Sequence, residues 1–335
     1  MDELVWQAMN QHQIPGAQVV LFNSNKVKYS FSGGVSHIGN LSQVNEKTAF
    51  EMASLSKPVF HFLLHTLVEK GKLPPTFFRD TLMAYIDTLK PMKASEVKGV
   101  KGLSDFLVFN ENYSKEWFKT LTVKQLLTHT AGLGDWSSTS PAYNFYPGQR
   151  FDYCDECYIL LQRVVEHYLQ MPLQQLIDRY LPTSCKGVKQ FAWNKNTTNY
   201  AFGHFAGMDL MRDIWKTEEG LAHGTLAANA LGYARFVQKV AKKNVWALNS
   251  DTVHVVENLY WQPGWGIEMS ESGPIYWHWG NDGCYLHVVA FLPGKDFGVV
   301  ILTNSELGLQ MCQTLTNQLF GFKLKGLSWV LGNQN

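Results

Sequence analysis

The sequence predicts an α+β fold: an α/β sandwich whose antiparallel sheet is built from both termini and flanked by helices, with a mainly helical domain inserted. Three observations predict it. Strand-like segments gather toward the two ends, helical spacing dominates the middle, and a helix apolar nearly all round follows the first strands. Ala17-Gln18-Val19-Val20-Leu21-Phe22 and Lys26-Val27-Lys28-Tyr29-Ser30-Phe31 flank Asn23-Ser24-Asn25 and read as a β-hairpin with an Asn- and Ser-rich turn. From Ser54 the pattern changes. Val59, Phe60, Phe62, Leu63, Leu64 and Leu67 leave a helix almost no polar face, so it belongs in the core, and Gly71 is a suitable stop. Thr122 to His129 and Cys157 to Glu166 carry helical spacing, while the polar stretch 93–102 reads as a surface loop. Strands return over 285–291 and 297–302 around Pro293-Gly294-Lys295-Asp296, and a helix over about 307–320 follows. The predicted division is 1–74 with 231–335 for the sheet-containing domain and 75–230 for the helical insert.

Bulk properties narrow the function classes. A chain of 335 residues forms one large domain or two closely packed ones, and 45% hydrophobic against 17% charged residues excludes a disordered or fibrous protein. With 29 basic and 28 acidic residues there is no basic stripe, which argues against a nucleic-acid partner. No apolar run reaches the ~20 residues of a membrane span. The start, Met1-Asp2-Glu3-Leu4-Val5-Trp6, has no signal-peptide pattern, so the sequence as given predicts a cytoplasmic protein, or a periplasmic or secreted one if a leader was removed. Five cysteines leave at least one unpaired, in keeping with a reducing compartment. The oligomeric state is not indicated.

The chemistry begins with Ser54-Leu55-Ser56-Lys57, an S-x-x-K arrangement that places an amine one helical turn from a hydroxyl. At a helix N-terminus the free N–H groups also favour negative charge developing on that oxygen. The spacing alone is weak: Ser95-Glu96-Val97-Lys98 matches it, and a serine opening a helix is ordinarily an N-cap. Context favours Ser54, which follows Phe50-Glu51-Met52-Ala53 and opens the apolar helix, whereas Ser95 lies in a Lys-rich loop.

Several ordered motifs strengthen the reading. Ile14-Pro15-Gly16-Ala17, Phe50 to Lys57, Leu126-Leu127-Thr128-His129-Thr130-Ala131-Gly132-Leu133, Phe151-Asp152-Tyr153, Trp265-Gly266-Ile267 and His278-Trp279-Gly280 together resemble the serine β-lactamase family of class C type. That superfamily includes D,D-peptidases, D-aminopeptidases and carboxylesterases, and the resemblance runs from about Ile14 to Asn304. It implies a site between the two domains, with Ser54 as the acylated nucleophile and Lys57 as its proton-relay partner. Tyr153 matches the tyrosine of a Y-x-N element that, as a phenolate or hydrogen-bond relay, takes the Ser54 proton and passes one to the leaving group. His278 matches the first position of a K-T-G element, and the backbone N–H groups of Ser54 and Asn281 would form an oxyanion hole. Trp279, Gly280 and Asn281 would border the substrate.

Two departures bear on the substrate. Asp155 stands where many relatives have Asn; it can accept from Lys57 but, as an anion, donates nothing to an amide carbonyl. His278 replaces lysine and, being largely neutral near pH 7, attracts a β-lactam carboxylate weakly. The expected activity is therefore acyl-enzyme hydrolysis of small esters or D-amino-acid amides ahead of efficient β-lactam hydrolysis. The alternative is a non-catalytic family member that binds an acyl compound or a protein partner. Tyr276, Trp277 and Trp279 flank His278 and are candidates to line an apolar acyl pocket. Specificity is expected in the loops around Gly134-Asp135-Trp136 and over 194–207. No metal or cofactor is expected: His61 and His65 share a helical face without a third ligand, Cys154-Asp155-Glu156-Cys157 lacks a second C-x-x-C, and no nucleotide-binding motif occurs.

Overall fold

A computed structural model describes residues 1–86, 120–133, 144–192, 198–205, 211–214, 217, 219–246 and 252–332. The loop read at 93–102, the competing Ser95 motif and the Gly134-Asp135-Trp136 segment lie outside these residues, as does part of 194–207. Thirteen strands are defined among them: β1 Gly16–Phe22, β2 Val27–His37, β3 Ser42–Gln43, β4 Phe50–Glu51, β5 Gly203–His204, β6 Met211–Arg212, β7 Ala227–Ala228, β8 Val253–Val256, β9 Leu259–Gln262, β10 Trp265–Ser270, β11 Gly273–Asn281, β12 Leu286–Leu292 and β13 Phe297–Thr303. Nine form one antiparallel sheet in the order β3-β2-β1-β13-β12-β11-β10-β9-β8.

The two ends of the chain meet at the centre of this sheet. Val19 of β1 faces Ile301 of β13, and both expected hairpins form, β1 with β2 and β12 with β13. All seven residues of β1 and of β12 are buried, as required of strands covered on both faces. One face packs against the helices Ser56–Glu69 and Ala230–Lys243; the other is covered by Asp2–Gln11, Gly308–Phe320 and Lys325–Gly332. The mixed helix and antiparallel-sheet sandwich is thus the predicted class.

Helix Ser56–Glu69 buries eleven of its residues, and its end is fixed by Gly71 in a left-handed conformation at φ 63°. The structure corrects its start. Residues Ala53–Leu55 form a 3-10 turn, so Ser54 precedes the α-helix proper, and it is not an N-cap: Leu55 occupies that place, without a side-chain hydrogen bond. Pro58 falls in the first α-turn, where its missing N–H has no partner to lose. The segment expected as helix over Thr122 to His129 is shorter, Val123–Leu127, because Thr122 and Gln125 close a capping box at one end and His129 turns to φ 55° at the other.

Histidines buried in neutral form run through this interior. Desolvation lowers His278 to about 3 and His223 and His287 to about 4. In the unfolded chain these groups take up a proton below pH ~6.5. Stability is therefore fully present above that pH and is withdrawn as pH falls toward the folded values, by about 1.4 kcal/mol per pH unit for each such histidine. Urea unfolding midpoints should drop steeply between pH 6.5 and 5; a midpoint constant across that interval would contradict this burial.

Candidate active site

The nucleophile turn is clamped from three directions. Ser56 Oγ donates to Ala53 O (2.7 Å) and accepts from Leu226 N–H (3.0 Å), Met52 N–H donates to Leu226 O (2.8 Å), and the Tyr233 hydroxyl donates to Leu55 O (2.9 Å). Strand β4, which feeds the turn, is pinned from behind. Thr303 N–H donates to His287 Nδ1, which leaves the other ring nitrogen to donate to Glu51 O at 2.8 Å. Ala53 is held at φ 46°, a left-handed conformation that costs a non-glycine residue about 1–3 kcal/mol. The neighbouring wall is the end of β11, where a Cβ on Gly280 would lie 2.5 Å from Met52 O. Gly280 is thus required by this close backbone approach.

Lys57 lies at the centre. It is fully buried, and its ammonium makes three contacts: Ser54 Oγ at 2.9 Å, His223 O at 2.9 Å and Asp155 Oδ1 at 2.5 Å. Two N–H groups donate, to Ser54 Oγ and to His223 O, and the Asp155 carboxylate pairs with the same ammonium by charge. The Asp155 side chain is 45% exposed overall, yet the oxygen facing Lys57 is buried. Burial works to raise the Asp155 pKa, but the Lys57 charge, aided by His223, overrides it and holds the carboxyl below its ordinary range.

Tyr153 leans over the same lysine, with Nζ 5.0 Å from the ring centroid. Its hydroxyl is buried, has no well-aligned hydrogen-bond partner among the described residues, and faces Ser54. Burial, reinforced by the Asp155 charge, pushes its pKa well above 10 against the smaller opposing influence of Ser54, so it is a neutral phenol at pH 7. An aromatic box holds the ring: His129 stacks on it (4.3 Å, 21°), Trp261 meets it edge-on (5.8 Å, 86°) and Trp279 tilts against it (4.8 Å, 41°). His129 Nδ1 lies 3.0 Å and 3.1 Å from the backbone N and O of Cys154, and Asp152 N–H donates to His129 O at 2.8 Å. The Leu126 to Leu133 segment thereby fixes the position of Tyr153.

His278 is fully buried beside this group. Nδ1 is 2.7 Å from the Trp279 carbonyl, so it carries the proton, and Nε2 is a buried lone pair without a partner among the described residues. Desolvation and the Lys57 charge lower its pKa to about 3. Asn281 is exposed at the end of β11, and its side-chain oxygen accepts from Gly283 N–H at 2.9 Å. The structure therefore brings Ser54, Lys57, Tyr153, Asp155 and His278 together, bordered by Trp279, Gly280 and Asn281. The expected aromatic lining is only partly realised. Trp279 faces a cavity, whereas Trp277 is buried under Gly326 and Tyr276 packs against Trp246 on the opposite face of β11.

A Beta-lactamase family model matches residues 1–311. The chain belongs to the Beta-lactamase family. A curated relative, Protein flp of Staphylococcus aureus (strain MW2), is 21% identical over 365 residues, and the alignment takes in 96% of this chain. The chain spans 66% of that relative's length. Among solved structures, the octameric penicillin-binding protein homologue from Pyrococcus abyssi superposes with a TM-score of 0.74 at 17% identity, covering 96% of this chain and 77% of the other. The D-alanine carboxypeptidase AmpC from Burkholderia cenocepacia gives 0.70 at 18% identity, covering 94% and 97%. At these identities the structural neighbours establish the penicillin-binding-protein-like fold, one typical of serine hydrolases.

Beside the quoted motifs, this member of the Beta-lactamase family carries contacts that sequence reasoning missed. The His223 backbone holds Lys57, and no local pattern marks it. Arg212 pairs with buried Glu51 (3.0 Å) and with Asp282 (2.8 Å), tying the strand before Ser54 to the turn after Asn281. Cys154 and Cys157 are free, buried thiols, with Cys157 N–H donating to Cys154 Sγ. His61 and His65 meet ring to ring at 5.0 Å, and no group of three metal-ligating side chains occurs among the described residues. None of the described helices is long and apolar enough to cross a membrane.

Proposed function

We propose that the chain is a serine hydrolase that forms an acyl-enzyme on Ser54, acting on small esters or D-amino-acid amides in preference to β-lactams. The observation that carries the proposal is the buried Lys57 ammonium, which donates to Ser54 Oγ and to His223 O and forms an ion pair with Asp155. Paired with the Asp155 carboxylate and in contact with Ser54 Oγ, Lys57 acts by stabilising charge that develops on Oγ. The proton must travel another way, and the Tyr153 phenol supplies the route. As Oγ attacks the carbonyl carbon, its proton moves to the Tyr153 oxygen while the phenolic proton passes to the leaving oxygen or nitrogen. The bond to the leaving group breaks and the acyl group remains esterified to Ser54. Water then attacks that ester and the relay runs in reverse, returning a proton to Oγ. The backbone N–H groups of Ser54 and Asn281 would receive the oxyanion.

The substrate preference follows from charge. Neutral His278 offers no cation to a substrate carboxylate, and ionised Asp155 offers no donor to an amide carbonyl. Hydrolysis of 4-nitrophenyl acetate, followed at 400 nm or so against a buffer blank, tests the reading; absence of turnover above that blank would sink it. Tyr153→Phe is expected to lower kcat about 10²- to 10⁴-fold with KM little changed. Because the lost hydroxyl makes no well-aligned hydrogen bond among the described residues, the melting temperature should hold or rise slightly. A Phe variant with wild-type kcat would remove Tyr153 from the relay.

A further inference from the structure

A cavity of about 380 Å³ opens beside Tyr153, lined among the described residues by Phe151, Asp152, Tyr153, Trp279, Asn281, Trp329 and Val330. Its far wall is the helix Lys325–Gly332, and two contacts seat that helix. Gly326 N–H donates to buried Glu268 (3.0 Å), and Gly326 lies flush on Trp277, where an added Cβ would come within 2.3 Å of the indole. Leu327 and Val330 are buried on the same side. Trp329 is thus presented by a docked element: it meets Trp279 edge-on (6.0 Å, 84°) and Phe151 at 6.1 Å and 62°. Three apolar rings therefore converge on a space that also touches Tyr153. Asp152 is the one charged residue among the described lining.

We propose that this cavity is a leaving-group subsite that takes an uncharged aromatic alcohol or amine and rejects one bearing a carboxylate; the assignment rests on the serine-hydrolase reading above. In that reading Tyr153 delivers its proton to the leaving atom, so the group leaving must lie on the Tyr153 side of Ser54, where the cavity is. Edge and face contacts with Trp279, Trp329 and Phe151 favour a ring. Asp152 repels an anion, and no cation of the described lining compensates it.

The experiment compares benzyl acetate, ethyl acetate and 4-carboxybenzyl acetate, whose alcohols differ little in acidity, so that intrinsic reactivity cancels. Benzyl acetate should exceed each of the other two in kcat/KM by about tenfold, and Trp329→Ala should bring the benzyl-to-ethyl ratio down to about one, with Trp329→Phe intermediate. Equal kcat/KM for the benzyl and 4-carboxybenzyl esters, or a ratio unmoved in both variants, overturns the subsite while leaving the hydrolase reading intact. If no ester is turned over, binding of 2-naphthol and 2-naphthoate to the Ser54→Ala protein by ligand-observed NMR separates the two claims. Naphthol binding that is lost in Ser54→Ala/Trp329→Ala, with naphthoate excluded, keeps the subsite and discards the hydrolysis. No naphthol binding discards the subsite as well.

Discussion

Ser54→Ala is expected to lower ester turnover by about five to six orders of magnitude, to the level of the uncatalysed reaction plus whatever the remaining site contributes. The magnitude follows from the mechanism: without Oγ there is no acyl-enzyme, and among the described residues no other hydroxyl is hydrogen-bonded to the Lys57 ammonium. The fold should survive. Ser54 is 8% exposed, its oxygen accepts from Lys57, and the turn is held by Ser56, Leu226 and Tyr233. Losing one charge-assisted hydrogen bond costs about 1.5–3 kcal/mol at most. Progress curves with 4-nitrophenyl acetate, read beside urea unfolding, separate the two effects. Activity within tenfold of wild type would mean that another residue is the nucleophile.

Lys57→Met should lower kcat about 10³- to 10⁴-fold while the protein remains folded. The methionine fills most of the buried volume but removes the ammonium in contact with Oγ. Breaking a buried ion pair ordinarily costs about 3–5 kcal/mol because a charge is stranded away from water. Here Asp155 is half exposed and can turn to solvent, so the loss should fall below that range. Lys57→Arg should not restore activity, because a planar fork cannot meet Ser54, His223 O and Asp155 from a single point as an ammonium does. The measurement is kcat of Lys57→Met and Lys57→Arg against wild type, with circular dichroism to verify the fold. Wild-type kcat in either variant would refute the electrostatic role.

The four central strands of the sheet, β1, β2, β12 and β13, were legible because their evidence is local, whereas β3 and β8 to β10 drew no strand reading. Alternation in Lys26 to Phe31 and the apolar runs at 285–291 and 297–302 mark strands whatever lies around them, and two such groups at opposite ends leave little choice but to pair. What escaped was set by tertiary contact. Ser54 was read as the first helical residue, yet the Ser56 hydroxyl and the Leu226 backbone pull residues 53–55 into a 3-10 turn, and no propensity encodes that pull. The helix Lys325–Gly332 is short and gave no signal; its docking depends on Gly326 meeting Trp277 and on Glu268, 58 residues earlier. Ser54, Lys57 and Tyr153 were readable because their motifs are compact and ordered. His223 was not, since it contributes a backbone oxygen and any residue type supplies one. Trp277 was misassigned to the pocket for a related reason: strand alternation puts Trp277 and Trp279 on one face but does not tell which is covered.

The central claim is that Ser54 is an activated nucleophile in a working relay. Intact mass of the wild-type protein after brief exposure to a fluorophosphonate, beside Ser54→Ala, tests it most directly. The account predicts one stoichiometric adduct on wild type, mapped to the peptide containing Ser54, and none on the variant. An unmodified wild-type protein, or an adduct that persists in Ser54→Ala, would contradict it and favour a family member that binds without catalysis or one that uses another residue.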